Sequence, residues 1–288
     1  MELDLAALKK GGFMKQVQKD YFTVRLRVAG GNLTLSQMDA LKSIAERYGS
    51  GYVHLTTRQG VEIPFVHLKN IEAVRLKLQA AGLGPGVCGG TVRGIVACQG
   101  SAVCRHGLVD AKALSAEIDS RFFGAEVPGK FKIAVTGCPR NCAKPQENDL
   151  GFEGAVIPEL CAQTCIGCGV CAEACPTGAI TAGEEVPSID RGKCSHCGDC
   201  VSACPTGAWQ ASERGVKVWA GGRIGRNPKL GELVVNFLPL AKVPHVITVS
   251  LQFFRDHGQA GERFGQTLER AGLARYREVI LDAAETDA

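Results

Sequence analysis

The chain has 288 residues, 45% apolar and 22% charged, which allows one large domain or two smaller ones around a sizeable core. A formal charge of +4, from 33 basic and 29 acidic residues, is too balanced for a protein that coats a polyanion, so nucleic acid is not an expected partner. The longest apolar stretch, Leu233–Leu251, is interrupted by Asn236, Pro239, Lys242, Pro244 and His245 and cannot span a bilayer; Met1–Lys10, with Glu2 and Asp4, lacks the apolar run of a secretory leader, so the expected location is cytoplasmic.

Residues 21–29 alternate, with Phe22, Val24, Leu26 and Val28 on one face and Thr23, Arg25 and Arg27 on the other, and read as a strand. Ser36 and Asp39 are expected to form a capping box ahead of a helical stripe of Met38, Leu41, Ala45 and Tyr48. Val53 and Leu55 begin a second strand, Thr57–Gly60 make a turn, and Val61, Ile63 and Phe65 form a third strand in which Pro64 argues for an edge or irregular position. Asn70 caps a helix carrying Ile71, Val74 and Leu78 and closed by Gly82, giving a β-α-β-β-α order and an α+β half-domain. Residues 83–107 are glycine-rich, a helix is expected near 110–123 on Leu114, Ile118 and Phe122, and a strand over 130–136 sends the Lys130 and Lys132 side chains to one face. After a segment at about 158–212 that reads as an insertion, Val216 and Val218 lead into the loop Ala220–Arg226, an anion-facing turn, and helical segments follow to the C-terminus.

Fourteen cysteines dominate the chemistry. Cys165, Cys168, Cys171 and Cys175, followed by Pro176, form C-x2-C-x2-C-x3-C-P, and Cys194, Cys197, Cys200 and Cys204, followed by Pro205, repeat it. This is the bacterial two-cluster ferredoxin spacing, in which the fourth cysteine ligates the other cluster. One [4Fe-4S] cube is therefore expected on Cys165, Cys168, Cys171 and Cys204, and the other on Cys194, Cys197, Cys200 and Cys175. Paired structural zinc sites are disfavoured because they usually leave longer spacers between CxxC pairs. A sparser set, Cys98 and Cys104 in ACQGSAVC with Cys138 and Cys142 in TGCPRNC, fits zinc, a redox pair or a third cluster on spacing alone. Cys88 and Cys161 read as small buried apolar residues or bystanders, and His54 and His106 as structural histidines.

The motifs RLRVAGG (25–31), HLTTRQG (54–60), TVRGIVACQGSAVC (91–104), GKFK (129–132), TGCPRNCAKP (136–145), GGRIGR (221–226) and GERFGQTLERAGL (261–273) resemble, in order, those of the sirohaem-dependent sulfite and nitrite reductases. With its inserted ferredoxin, the chain is most similar to the C subunits of anaerobic three-subunit sulfite reductases, with compact F420-linked and dissimilatory sulfite reductases as near relatives. The resemblance implies a ferredoxin-like half-domain over 1–82, a sirohaem and [4Fe-4S] domain over 83–157 plus 213–288, and the ferredoxin insert over 158–212. It implies that Cys98, Cys104, Cys138 and Cys142 hold a third [4Fe-4S] cluster, with Cys142 bridging to sirohaem iron. Arg25, Arg93, Lys130 and Lys132 would clamp the substrate anion, Arg58 and Gln59 would face the sirohaem, and Arg223 and Arg226 would meet its carboxylates, with Arg27 and Arg105 as substitutes. The implied reaction is six-electron reduction of sulfite to sulfide, with electrons entering through the ferredoxin segment from a separate donor protein; nitrite reduction to ammonia and a non-catalytic polyferredoxin carrier are the alternatives. Larger relatives carry two copies of the half-domain, so a single copy implies a homodimer, one protomer offering cations toward the other's cofactor, or a non-identical partner subunit. Exposed cubes imply oxygen sensitivity.

Overall fold

The computed structural model describes residues 4–286; Glu2 and its neighbours in the Met1–Lys10 stretch lie outside them. In chain order the elements are α1 (Leu5–Lys10), β1 (Phe13–Lys15), β2 (Tyr21–Arg25), α2 (Leu35–Tyr48), β3 (His54–Leu55), β4 (Val61–His67), α3 (Ile71–Ala80), β5 (Val96–Ala97), α4 (Ala111–Phe122), β6 (Ile133–Thr136), β7 (Leu150–Leu160), α5 (Val170–Glu173), β8 (Ile180–Thr181), β9 (Ser188–Ile189), α6 (Asp199–Ala203), β10 (Trp209–Ala220), β11 (Glu232–Pro239), α7 (Val243–His257), α8 (Phe264–Ala271) and α9 (Leu273–Glu285). They fall into two compact units. Among the described residues the first comprises 4–97, Lys112–Ala134 and Leu251–Gly272; the second comprises Cys98–Ala111, Val135–Ser250 and 273–286. Among the described residues no helix is long and apolar enough to cross a membrane.

The first unit contains an antiparallel sheet ordered β1-β2-β4-β3. Phe22, Val24, Val61, Ile63 and Val66 are buried in one cluster with Leu41, Ile44 and Ala45 of α2 and Ile71, Val74 and Leu78 of α3. The expected alternation over 21–29 is present in burial, but regular pairing stops at Arg25, and Ala29–Gly31 turns in a 3-10 helix. The α2 cap is Thr34 with Gln37 rather than Ser36 with Asp39: Thr34 accepts from the Gln37 N–H while the Gln37 side chain accepts from the Thr34 N–H. That frame turns Met38 outward, 53% exposed, and puts Ile44 in the core. Asn70 makes no side-chain cap; a 3-10 turn, capped by His67, feeds directly into α3. Pro64 and Phe65 lie at a β-bulge, since Phe22 faces Val66 but Val24 faces Ile63, and Phe65 has a φ of 60°. β1 was not anticipated, being only three residues long.

In the same unit, residues 130–132 are not regular strand. Phe131 instead makes a parallel bridge to Val92, with Arg93 N–H donating to Phe131 O and Phe131 N–H to Thr91 O. Phe131 is fully buried against Phe254 and Phe264, with ring centroids 5.9 and 5.1 Å away. Gly129 must be glycine here, because a Cβ would lie 1.8 Å from the Glu262 carbonyl oxygen. GKFK is thus seated on GERFG by contact rather than by sequence proximity.

The second unit contains a sheet in the order β11-β10-β7-β6. β7 and β10 pair along their whole length, from Leu150↔Ala220 to Leu160↔Trp209. The Cys161 N–H donates to Ala208 O, so residues 161–208 leave and rejoin the sheet at adjacent points. β11, expected as part of a helical tail, is a strand on β10; its β-branched ELVV stretch lies beside a partner, and the helix begins only after Pro239. Tyr276 of α9 is fully buried and hydrogen-bonds Ser250 at 2.8 Å.

Candidate functional site

In the first unit, Arg25, Arg27, Arg58, Arg93, Lys130 and Lys132 line one cavity of about 350 Å³, and no carboxylate lines it. Strand alternation accounts for the gathering. Val92 and Phe131 bury their side chains, so Arg93, Lys130 and Lys132 emerge on the opposite side of the parallel bridge. Arg25 lies opposite Glu62 in the β2–β4 register, and its Nε and Nη2 meet Glu62 Oε1 at 2.8 and 2.7 Å, while Nη1 reaches Cys88 Sγ at 3.7 Å. Arg27 pairs with the buried Asp119 at 2.6 Å and lies over the Phe123 ring. Arg93 donates to the Val87 and Gly89 carbonyls, which leaves its buried Nε without a hydrogen-bond partner, a donor suited to an oxyanion. Arg58 donates to Gly94 O at 3.1 Å. Gln59 instead has its amide engaged on both sides of Ala97, donating to its carbonyl at 2.8 Å and accepting from its N–H at 2.9 Å. Arg27 and Glu62 are the residues that sequence reasoning underused; the R-L-R alternation carried the first, but only the register exposes the second.

In the second unit, the loops bearing Cys98 and Cys104 and those bearing Cys138 and Cys142 converge. Cys98 Sγ accepts from Gly137 N–H at 3.0 Å and from Thr136 Oγ1 at 3.6 Å. A Cβ on Gly137 would lie 2.8 Å from Gly100 Cα and 3.1 Å from Val109 O, so glycine is what lets the two loops touch. Burial pushes the Cys138 thiol up, and the neighbouring Cys98, Cys104 and Cys142 push it further, which places all four within electrostatic reach. Four cysteine side chains brought this close suit a shared iron centre, whose positive charge would favour the thiolates that bind it. Next to Cys142, Asn141 has a φ of 61° and a buried Oδ1 without a hydrogen-bond partner. Arg223 and Arg226 lie in the loop after β10; Arg223 exchanges backbone hydrogen bonds with Lys229, and its Nε donates to Asn227 O at 3.2 Å. The loop is pinned to the end of the TGCPRNCAKP segment through Gly231 N–H to Gln146 O.

The cysteine runs form a third group. Cys165, Cys168 and Cys171 line one small cavity together with Cys204 of the other run. Cys171 and Cys200 are buried in a cluster with Ile180 and Trp209, against which Cys175 and Cys204 pack. The backbone repeats as the sequence does: Gly167 and His196 occupy corresponding left-handed positions at φ 66° and 55°, followed by Gly169 and Gly198 at 73° and 76°. Burial, then the Cys197 charge, pushes the Cys200 thiol up to about 12. Slight burial raises Cys204, but N–H and hydroxyl donors from Trp209, Thr206 and Ala208 outweigh it and bring the thiol down to about 7. His196 is held below its ordinary value, first by burial and then by the Lys217 and Arg191 charges, against the pull of the Val156 carbonyl. Cys138 of the sparse set and Cys197 of the second run line a common cavity of about 700 Å³. Among the described residues no three His, Cys, Asp or Glu side chains are spaced for a single metal ion; a cube spreads its four thiolates more widely than one ion does.

Comparison with known proteins gives a consistent result. Residues 88–287 match the nitrite and sulphite reductase 4Fe-4S domain, and residues 14–81 match the nitrite/sulfite reductase ferredoxin-like half domain. The coenzyme F420-dependent sulfite reductase of Methanocaldococcus jannaschii is 35% identical over 273 residues, covering 94% of this chain but 44% of that protein, so the chain spans less than half of this relative. The C subunit of the anaerobic sulfite reductase of Salmonella typhimurium is 31% identical over 282 residues, covering 90% of this chain and 82% of that protein. Among solved structures, dissimilatory sulfite reductase I superposes with a TM-score of 0.74 at 20% identity, covering 93% of this chain and 72% of that one. The NirA protein of Mycobacterium tuberculosis superposes with a TM-score of 0.69 at 21% identity, covering 98% and 46%. These last two likenesses concern the fold.

Proposed function

The chain belongs to the nitrite and sulfite reductase family, and from that premise we propose that it reduces sulfite to sulfide with a sirohaem and a [4Fe-4S] cube, the cube to be held by Cys98, Cys104, Cys138 and Cys142, of which Cys142 would also hold the sirohaem. The observation that carries the reading is the cavity lined by six cations and no carboxylate, which suits a small oxyanion. When bound, the sirohaem and its cube would pass to the substrate, a few at a time, the six electrons that a separate donor provides for converting its sulfur to sulfide. The chain's own residues do the rest. Arg25, fixed by Glu62, and Arg93, with its spare Nε, hold and orient the anion. Lys130 and Lys132 neutralise charge on the oxygens and deliver protons as these depart as water. Arg58, Gln59, Arg223 and Arg226 are read as the side chains facing sirohaem and its carboxylates; Gln59 acts through its grip on Ala97.

Residues 158–212 are read as a two-cube ferredoxin inserted into a sirohaem-binding host, the cubes on Cys165, Cys168, Cys171 and Cys204 and on Cys194, Cys197, Cys200 and Cys175. The shared lining of Cys204 with the first run supports the crossed ligation. Electrons enter there from a separate donor and pass toward Cys138 across the cavity that Cys197 shares with it. A second copy of the chain or a non-identical partner completes the assembly, which activity recovered by mixing K130A and C142A chains would support. Nitrite is the second reading, because nitrite reductases also match, that of Klebsiella oxytoca at 33% identity over 48% of the chain.

The test is anaerobic purification followed by absorption, iron analysis and steady-state assays with reduced methyl viologen. Sirohaem bands, about twelve irons in cubes plus one in haem, and a higher kcat/KM for sulfite than for nitrite are expected. A large nitrite preference would move the assignment to the second reading, and about eight irons without haem would leave only an electron carrier.

A further inference from the structure

Lys217 and Glu153 are direct cross-strand partners on β10 and β7. The Lys217 ammonium meets Glu153 Oε1 at 3.0 Å, with side-chain exposures of only 9% and 5%, and Gln146 Nε2 donates to the other carboxylate oxygen at 3.2 Å. A buried ion pair in a sheet is a poor device for stability, since apolar side chains of similar volume hold such a position at least as well. Its place in the fold offers another use. Lys217, and not Glu153, lines the 700 Å³ cavity that Cys138 and Cys197 share, so that cavity faces the positive end of a fixed dipole. Arg140, Asp199 and His106 line the same cavity but are at least partly exposed, where water and salt screen them; the buried pair escapes that screening.

We propose that the Lys217–Glu153 pair tunes electron transfer between the Cys194–Cys200 run and the Cys98–Cys142 set, raising the reduction potential of the cubes beside this cavity. The inference rests on the reading that both sets hold [4Fe-4S] cubes. Each transfer moves one electron out of the cube at Cys197, which is oxidised, and into the cube at Cys138, which is reduced; no bond is made or broken and no proton moves. A reduced cube carries one more negative charge, and a nearby unscreened positive pole favours that state.

EPR-monitored redox titration of the anaerobic holoprotein tests this. E153Q, which leaves the ammonium uncompensated, should raise at least one cube midpoint. K217M/E153L, a packed neutral pair that keeps the sheet folded where a single change might not, should lower it. The expected change is about tenfold in the reduction equilibrium, equivalent to about 59 mV for one electron, and it should persist at high salt. Intact cubes with unmoved midpoints in K217M/E153L would overturn the proposal while leaving the cofactor reading in place. A wild-type protein without cube signals would remove that reading and the proposal with it.

Discussion

The cationic cavity of the first unit and the cysteine loops of the second position their side chains by opposite means. Arg25 and Arg27 are held by the carboxylates of Glu62 and Asp119, and Arg93 by two main-chain carbonyls, each at the end of a long flexible stem. Cys98 and Cys138 have one rotatable bond each, so their sulfurs go where the backbone goes, and the backbone is fixed by glycines that admit no Cβ. The cavity should therefore tolerate loss of a single group with graded loss of function, whereas the thiolate site should fail as a whole.

Gly137→Ala is the sharpest way to break this contrast. The added methyl meets Gly100 Cα and Val109 O, both backbone, so the Cys98 and Cys138 loops must part. The expected outcome is loss of about four irons and of all sulfite turnover, with the cubes of the 161–208 segment still visible by EPR. Retention of all iron and activity would show that the loops are as adaptable as the cavity.

Lys132→Ala should have a smaller, graded effect. One electrostatic donor to a developing charge is worth roughly 10²–10³ in kcat, and Arg25, Arg93 and Lys130 remain on the same cavity. Iron content and sirohaem absorption should be unchanged, and kcat should fall more than KM rises if the ammonium acts on departing oxygens. A variant with unaltered kcat would place Lys132 outside the chemistry.

The same contrast explains what could be read in the sequence. Cysteine spacing is a backbone property, and the chain records it directly, which is why the two runs and their repeat were legible as text. The R-L-R and K-F-K alternations likewise located four of the six cavity cations, because period two survives even where Lys130–Lys132 is only a bridge and not a strand. Contacts at long sequence separation were not legible. Glu62 beside Arg25, Gly129 on Glu262 and Lys217 beside Glu153 depend on strand register or on the approach of distant segments. The α2 cap was misplaced by two residues because Thr34-x-x-Gln37 and Ser36-x-x-Asp39 both offer a hydroxyl ahead of the same stripe, and only burial of Ile44 separates them. β11 was read as helix because a short apolar run carries no periodicity of its own.

The smallest expected effect lies beneath the GKFK segment. Glu262 is held at about 2, below its ordinary 4.5, first by the hydrogen bond from Arg270, with Gln259 N–H and Thr267 adding to it. Its main-chain oxygen lies against Gly129, so this carboxylate, by tying Gln259, Thr267 and Arg270 together, braces the turn on which the GKFK segment sits. A carboxyl group whose folded value is depressed contributes stability that is fully present above its unfolded value and is lost as pH falls through the folded one. Glu262→Gln should therefore lower Tm at neutral pH, with the gap to wild type narrowing below about pH 4.5 and closing toward pH 2. A gap that stays constant from pH 7 to pH 3 would mean that the glutamate stabilises by shape alone, and that this side-chain-held region is less dependent on charge than the arginine pairs around its cavity imply.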